Sequence, residues 1–194
     1  LFLPLSSALR LAIARREAEW ITGTMAERSV TGGMKPATTV VQEPAPLKIG
    51  YVSADFREHP TAHLMRTLFR CHDRRRFEVY TYALLGDDGS AYYRQIQDDS
   101  DRFVDLSSMD NAAAAQRIQA DEVQILVDLM AYTHFARPEI FALRPAPIQV
   151  NWLGFPGSSG ASYMDYLLAD PVVLPPDQAT LCTEQPAYLP ECYQ

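Results

Sequence analysis

The stretch KIGYVSADFREHPTAHLMRTLFRC, residues 48–71, decides how this chain is read. Lys48 to Ser53 is a short apolar and β-branched run of the kind that forms a strand buried on both faces, and Pro60 to Cys71 is a helical stretch. The aperiodic segment Ser53 to Thr61 (SADFREHPT) joins them. Working outward, the same unit recurs. Strand-like runs stand at Glu78 to Leu84 (EVYTYAL), Arg102 to Leu106 (RFVDL), Gln124 to Leu129 (QILVDL), Ile148 to Leu153 (IQVNWL) and Tyr166 to Ala169 (YLLA). Helical stretches at Ser90 to Asp98, Asn111 to Asp121 and Arg137 to Leu143 lie between them. Strands separated by helices pair in parallel through right-handed crossovers, so the expectation is α/β: an open, doubly wound, mainly parallel sheet of Rossmann type. In the order 3-2-1-4-5-6 the winding reverses between the first and fourth strands, and ligands bind at the carboxyl ends of those strands. That singles out two loops, Ser53 to Thr61 and Leu129 to Arg137 (LMAYTHFAR).

The α/β region occupies residues 47–194. Upstream, Leu11, Ala14, Ala18 and Trp20 among Arg and Glu make Ser7 to Ile21 one amphipathic helix within residues 1–22. Residues 23–46, rich in Thr, Gly, Val and Pro, read as a linker. With 47% apolar and 21% charged residues the chain can bury a core and is not a disordered one. A net charge of −7 argues against a nucleic-acid partner bound through phosphate neutralisation. Cys71, Cys182 and Cys192 form no CxxC pair and suggest neither a disulfide framework nor a four-cysteine zinc site, so a reducing cytoplasm is the expected compartment. No apolar run reaches the roughly 18–20 residues that span a bilayer, and no membrane partner is expected. Starting at Leu1 without methionine, the chain reads as a piece of a longer protein.

In the first loop, His59 precedes Pro60, a residue favoured at the first position of a helix, so His59 falls at the N-cap. The positive end of the helix dipole disfavours an imidazolium there and leaves a ring able to accept a proton, as a general base must. The alternative is a histidine that only caps a helix. Asp55 could orient His59 or a substrate hydroxyl, or simply accept turn N–H groups. His59 and His63 share a helix face, yet with no HExxH glutamate they lack metal-site spacing, and no metal cofactor is expected. In the second loop Tyr132 and Thr133 offer hydroxyls to a polyhydroxy ligand, and Arg137 could meet an anion or be solvated. Asp128 lies inside an apolar strand and must be hydrogen-bonded. A third loop, Trp152 to Gly160 (WLGFPGSSG), holds three glycines that allow close backbone approach, but it matches neither GxGxxG nor the Walker pattern.

Taken together, YVSADFREHPTAHLM (residues 51–65), ILVDLMAYTHFARPEIFALRPAPIQVNWLGFPGSSG (125–160) and MDYLLADPVVLPP (164–176) resemble the catalytic region of the O-linked N-acetylglucosamine transferases, including their plant-type and bacterial, tetratricopeptide-repeat-linked relatives. RPAPIQV followed by WLG-PG is the specific part. The resemblance implies the amino-terminal domain of a GT-B glycosyltransferase that inverts the anomeric carbon of a nucleotide-sugar without a metal. It implies UDP-N-acetylglucosamine as donor and a serine or threonine hydroxyl of a protein as acceptor, with the fragment alone inactive. By the same resemblance His59 is the active-site histidine, with Asp55 and Pro60 beside it. Thr133 contacts sugar in the turn that begins Ala131-Tyr132. Leu153, Gly154, Pro156 and Gly157 form the neighbouring loop. Ala131 stands where the family has glycine, and Ser158 where it has threonine. Two alternatives remain at this point: an O-fucosyltransferase using a GDP-sugar, and a non-catalytic protein-binding α/β module attached to helical repeats.

Overall fold

The computed structural model describes residues 5–29, 37, 46–155 and 157–194. Its elements in order are α1 (Ser7–Ser29), β1 (Leu47–Ser53), α2 (Pro60–Met65), α3 (Leu68–Cys71), β2 (Phe77–Ala83), α4 (Ala91–Asp99), β3 (Arg102–Asp105), α5 (Asn111–Ala120), β4 (Ile125–Asp128), α6 (Pro138–Ala142), β5 (Ile148–Asn151), β6 (Tyr166–Ala169), a tight helical turn (Pro176–Leu181) and β7 (Gln185–Tyr188). The strands form one seven-stranded sheet in the order β3-β2-β1-β4-β5-β6-β7, with every pairing parallel. The expected α/β architecture is present, with the reversal between β1 and β4.

Side chains alternate across a strand, and the sheet therefore carries a core on each face. Val52, Tyr82, Leu126 and Leu106 pack on one side with Ala114 and Ile118 of α5 and Ile140 and Phe141 of α6. On the other, Tyr51, Val79, Val127 and Val150 pack with Phe56, Met65, Phe69 and Ile96. Each fully buried aliphatic or aromatic side chain contributes about 1.5–3 kcal/mol of transfer free energy, which is what holds the strands in register. Local signals start the helices. Ser90 Oγ accepts from Tyr93 N at 3.1 Å, and Asp110 Oδ1 accepts from Ala113 N at 2.8 Å.

Three boundaries differ from expectation. The helix expected to end near residue 22 continues as α1 to Ser29, so the linker does not begin at Gly23. Apart from Ala37 and Pro46, what remains of the expected linker lies outside the described residues. The cause is packing: Leu11, Ala14, Ala18, Ile21 and Met25 fall on one helix face and are buried. The single helix expected over Pro60 to Cys71 is two pieces, α2 and α3. Finally, β7 was not anticipated.

Candidate active site

The first two loops leave the sheet side by side, since β1 and β4 are paired with Val52 opposite Asp128. Ser53 Oγ accepts from Asp55 N at 2.9 Å, turning the chain so that the Asp55 side chain is only 6% exposed. Its Oδ2 lies 3.3 Å from His59 Nδ1 and its Oδ1 lies 3.6 Å from an Arg57 guanidinium nitrogen. Burial raises the Asp55 pKa, and the charges of His59, Arg57 and His134 pull it back down. His59 caps α2 as expected, with Thr61 N donating to Nδ1 at 3.3 Å, and Pro60 at the start of the helix is exposed. These two contacts on Nδ1 select opposite tautomers. The hydrogen bond present has a bare Nδ1 accepting from Thr61, with the Asp55 carboxylate beside the same atom as an ion-pair partner; the other tautomer, with its proton on Nδ1 facing Asp55, would leave Nε2 as the free base.

The second loop is folded around Asp128, whose Oδ1 accepts from Met130 N at 2.9 Å. Complete burial pushes this carboxyl up to about 6 against the opposing backbone hydrogen bonds of Met130 and Ala131. Ala131 has φ +46°, which accounts for a glycine at this place in the resembled family. The turn then brings Thr133 back so that its hydroxyl donates to Met130 O at 3.0 Å, leaving the oxygen's lone pairs free to accept from a ligand. Met130 joins the two loops: Ser53 Oγ lies 3.2 Å from its sulfur and Thr133 Oγ1 lies 3.8 Å from it. The Arg57 guanidinium also sits 5.8 Å from the centroid of the exposed Phe135 ring. Loops one and two therefore share one rim.

Tyr132 has a different place. Its hydroxyl donates to Ser159 O at 2.6 Å and lies 3.4 Å from Ala14 O, pinning the third loop and α1 to the second loop. Arg137 is committed to Asn111 Oδ1 at 2.6 Å and to the carbonyls of Leu106 and Met109 at 3.2 and 2.8 Å.

The third loop leaves β5, the neighbour of β4. Leu153 adopts φ +71°, a strained conformation for a branched side chain. Gly154 lies so close to the second loop that a Cβ on it would fall 1.8 Å from Leu129 O. Pro156 lies outside the described residues, and Gly157 O accepts from Asn151 Nδ2 at 3.2 Å. The residue that organises this loop was missed in the sequence. Glu184, 2% exposed, accepts from Ser158 Oγ at 2.5 Å, from Ser159 N at 2.7 Å and from Ser159 Oγ at 2.6 Å. A lone carboxylate before an edge strand has no local pattern that would have marked it.

Three adjacent loops at the carboxyl end of the sheet thus gather a His–Asp pair, an accepting hydroxyl and a glycine-permitted backbone approach. Among the described residues, no three His, Cys, Asp or Glu side chains converge to hold a metal ion. No helix among them is long and apolar enough to cross a membrane.

Known proteins resemble this chain in sequence and in fold. The "UDP-N-acetylglucosamine--peptide N-acetylglucosaminyltransferase" of Caenorhabditis elegans is 44% identical over 195 residues, covering 98% of this chain and 17% of its own. The Arabidopsis thaliana protein named "Probable UDP-N-acetylglucosamine--peptide N-acetylglucosaminyltransferase SEC" is 47% identical over 147 residues, 76% of this chain and 15% of its own. A mutant O-GlcNAc transferase from Thermobaculum terrenum has the same fold with a TM-score of 0.86 at 29% identity, over 99% of this chain and 36% of that one. The chain therefore spans well under two thirds of the length of each of these relatives. The model of glycosyl transferase family 41 matches residues 1–194, and with that match along its whole length the chain belongs to glycosyl transferase family 41.

Proposed function

We propose that this chain forms the amino-terminal half of the catalytic region of an inverting GT-B glycosyltransferase that moves N-acetylglucosamine from UDP-N-acetylglucosamine to serine or threonine hydroxyls of proteins. The observation that carries the reading is the Asp55–His59 pair on the rim it shares with Thr133. The names of the relatives supply the donor and the acceptor class. In the proposed step the acceptor oxygen attacks the anomeric carbon, the bond from that carbon to the diphosphate oxygen breaks, and the acceptor proton passes to His59 Nε2. Asp55 holds Nδ1–H and faces the imidazolium that forms. Thr133 accepts from a sugar hydroxyl, and the backbone around Gly154 lies against the sugar. Written this way the step requires no metal. The negative charge of the departing nucleoside diphosphate is met by helix N-termini and cationic groups, in our reading those of a second Rossmann-like domain. The proposal extends to a tetratricopeptide-repeat region joined at α1 and to a reducing cytoplasmic setting, in keeping with three free cysteines.

The test is His59→Ala and Asp55→Asn in the full-length protein, with UDP release measured in the presence of acceptor peptide. His59→Ala lowers kcat by roughly 10²–10⁴. Asp55→Asn lowers kcat less and shifts the acidic limb of the pH profile. Unchanged turnover in His59→Ala removes this residue from the mechanism. Parallel assays with GDP-fucose decide the donor, and chelator treatment decides whether a metal takes part.

A further inference from the structure

The Arg57 guanidinium lies between the first two loops. One of its terminal nitrogens is 3.6 Å from Asp55 Oδ1, and its carbon is 5.8 Å from the centroid of the Phe135 ring. The other Asp55 oxygen, Oδ2, lies 3.3 Å from His59 Nδ1. A carboxylate gripped by a cation on one oxygen, with its backbone N–H tied to Ser53 Oγ, cannot swing its plane away from the imidazole that meets the other oxygen. Two local costs converge on this contact. Phe135 stands at φ +65°, an uncommon conformation for a bulky side chain, with its ring exposed and 3.8 Å, centroid to centroid, from that of His134. Arg57 Nε is buried with no hydrogen-bond partner among the described residues. Strain and unsatisfied donors persist where the surrounding structure over-determines them, and they gather where geometry is put to use.

The electrostatics point the same way. Burial of Asp55 favours its neutral form, and the groups that oppose this with positive charge are His59 and Arg57 from the first loop and His134 from the second. The two histidines are charged only when protonated, whereas a guanidinium is a permanent cation. Without it, desolvation would oppose the ionised carboxyl and nothing would fix its plane. The ring supports the cation, since a guanidinium on an aromatic face is held in place with its donors still directed at a carboxylate. Phe135 belongs to the second loop, two residues beyond Thr133, so the contact also ties the His–Asp pair to the turn proposed to meet the sugar. Resting on the glycosyl-transfer reading above, we propose that Arg57, seated on Phe135, is a positioning residue for the reaction: it holds the Asp55 carboxylate against His59 and fixes that pair relative to Thr133.

The experiment uses the full-length protein, with UDP release measured against pH and against donor concentration in the presence of acceptor peptide. Arg57→Met nearly keeps the length of the side chain and removes its charge. It lowers kcat about tenfold, leaves KM for the UDP-sugar within about twofold, and moves the acidic limb of the kcat profile up by about half a pH unit or more, because Asp55 then takes up its proton at higher pH. Arg57→Lys keeps a cation and returns both rate and limb most of the way to the parent's. Phe135→Leu leaves every charge in place and moves kcat and the limb in the same direction by less, and it carries the test where an Arg57→Met chain does not fold. In an Asp55→Asn background Arg57→Met changes kcat by less than about twofold, since its effect runs through the carboxylate. Three results overturn the proposal: a pH profile unmoved by Arg57→Met, a loss that persists undiminished beside Asp55→Asn, or a raised KM for the donor at unchanged kcat, which would make Arg57 a substrate contact. Asp55→Asn separates the two levels. If that variant has the parent's rate and profile, the reading of the His–Asp pair fails; if it alters them and Arg57→Met does not, the reaction stands and the clamp falls.

Discussion

Glu184 holds Ser159 twice, accepting from its backbone N–H at 2.7 Å and from its hydroxyl at 2.6 Å, across a separation of 25 residues. The same carboxylate takes the Ser158 hydroxyl, and it lies 3.4 Å from Asn151 Nδ2 on β5. One buried anion thereby fixes the exit of the third loop against the strand it came from. Glu184→Ala leaves the buried Ser159 N–H and hydroxyl without their acceptor, and stability falls by about 1–3 kcal/mol. Glu184→Gln keeps one accepting oxygen and loses less. Urea midpoints at unchanged slope measure both, and equal losses for the two variants would show that one accepting oxygen does not suffice and that both are needed.

Gly160 places a second constraint on the same loop. With φ +68°, it lies against α1 so closely that a Cβ would fall 2.4 Å from Ala14 C and from Arg15 N. Gly160→Ala therefore costs about 3 kcal/mol or more, or relieves the overlap by lifting α1 from the sheet domain. Limited proteolysis within residues 7–29, compared with the parent protein, distinguishes undocking from uniform destabilisation.

The site was legible in part because buried parallel strands are apolar runs, and the right-handed crossover rule leaves few orders for them. That reasoning reached the loops of His59 and Thr133, which the sheet brings to one rim through Met130. It failed where tertiary contacts decide the outcome. Thr22-Gly23-Thr24 resembles a helix stop, and a mid-helix glycine costs about 1 kcal/mol relative to alanine, yet burial of Ile21 and Met25 carries α1 through it. The β7 sequence Gln-Pro-Ala-Tyr lacks strand propensity, and Pro186 cannot donate to a ladder. It forms a strand at the sheet edge, where among the described residues β6 alone is its neighbour. Tyr132 and Glu184 owe their roles to partners far away in the chain, and local spacing cannot reveal such partners.

Ala131 tests whether the second loop demands a left-handed residue. It is buried at φ +46°, where an L-residue is strained by about 1–2 kcal/mol. Ala131→Gly relieves that strain but gives up a buried methyl worth about 0.8 kcal/mol and adds freedom to the unfolded chain, so stability stays within about 1 kcal/mol of the parent. Ala131→Val, β-branched at positive φ and tightly enclosed, loses about 2 kcal/mol or more. Thermal unfolding of the pair checks both. A valine variant as stable as the parent would mean that the turn has abandoned its left-handed geometry.

Asp128 gives the fold a pH dependence whose sign is fixed by burial. Its carboxyl is raised to about 6 from an ordinary 3.8, so between these values the folded protein holds a proton that the unfolded chain has released. The stabilisation linked to that proton is complete below pH 3.8 and is lost as pH rises through 6. By pH 7.5 the buried carboxylate costs on the order of 3 kcal/mol relative to the protonated form. Asp128→Asn keeps an oxygen to accept from Met130 N and has no charge to bury. The stability of the variant minus that of the parent therefore grows by about 2 kcal/mol between pH 4 and pH 7.5, while contributions from groups common to both cancel. Denaturant titrations across that range measure the difference directly, and parallel curves would mean that Asp128 is ionised in the folded protein at pH 4.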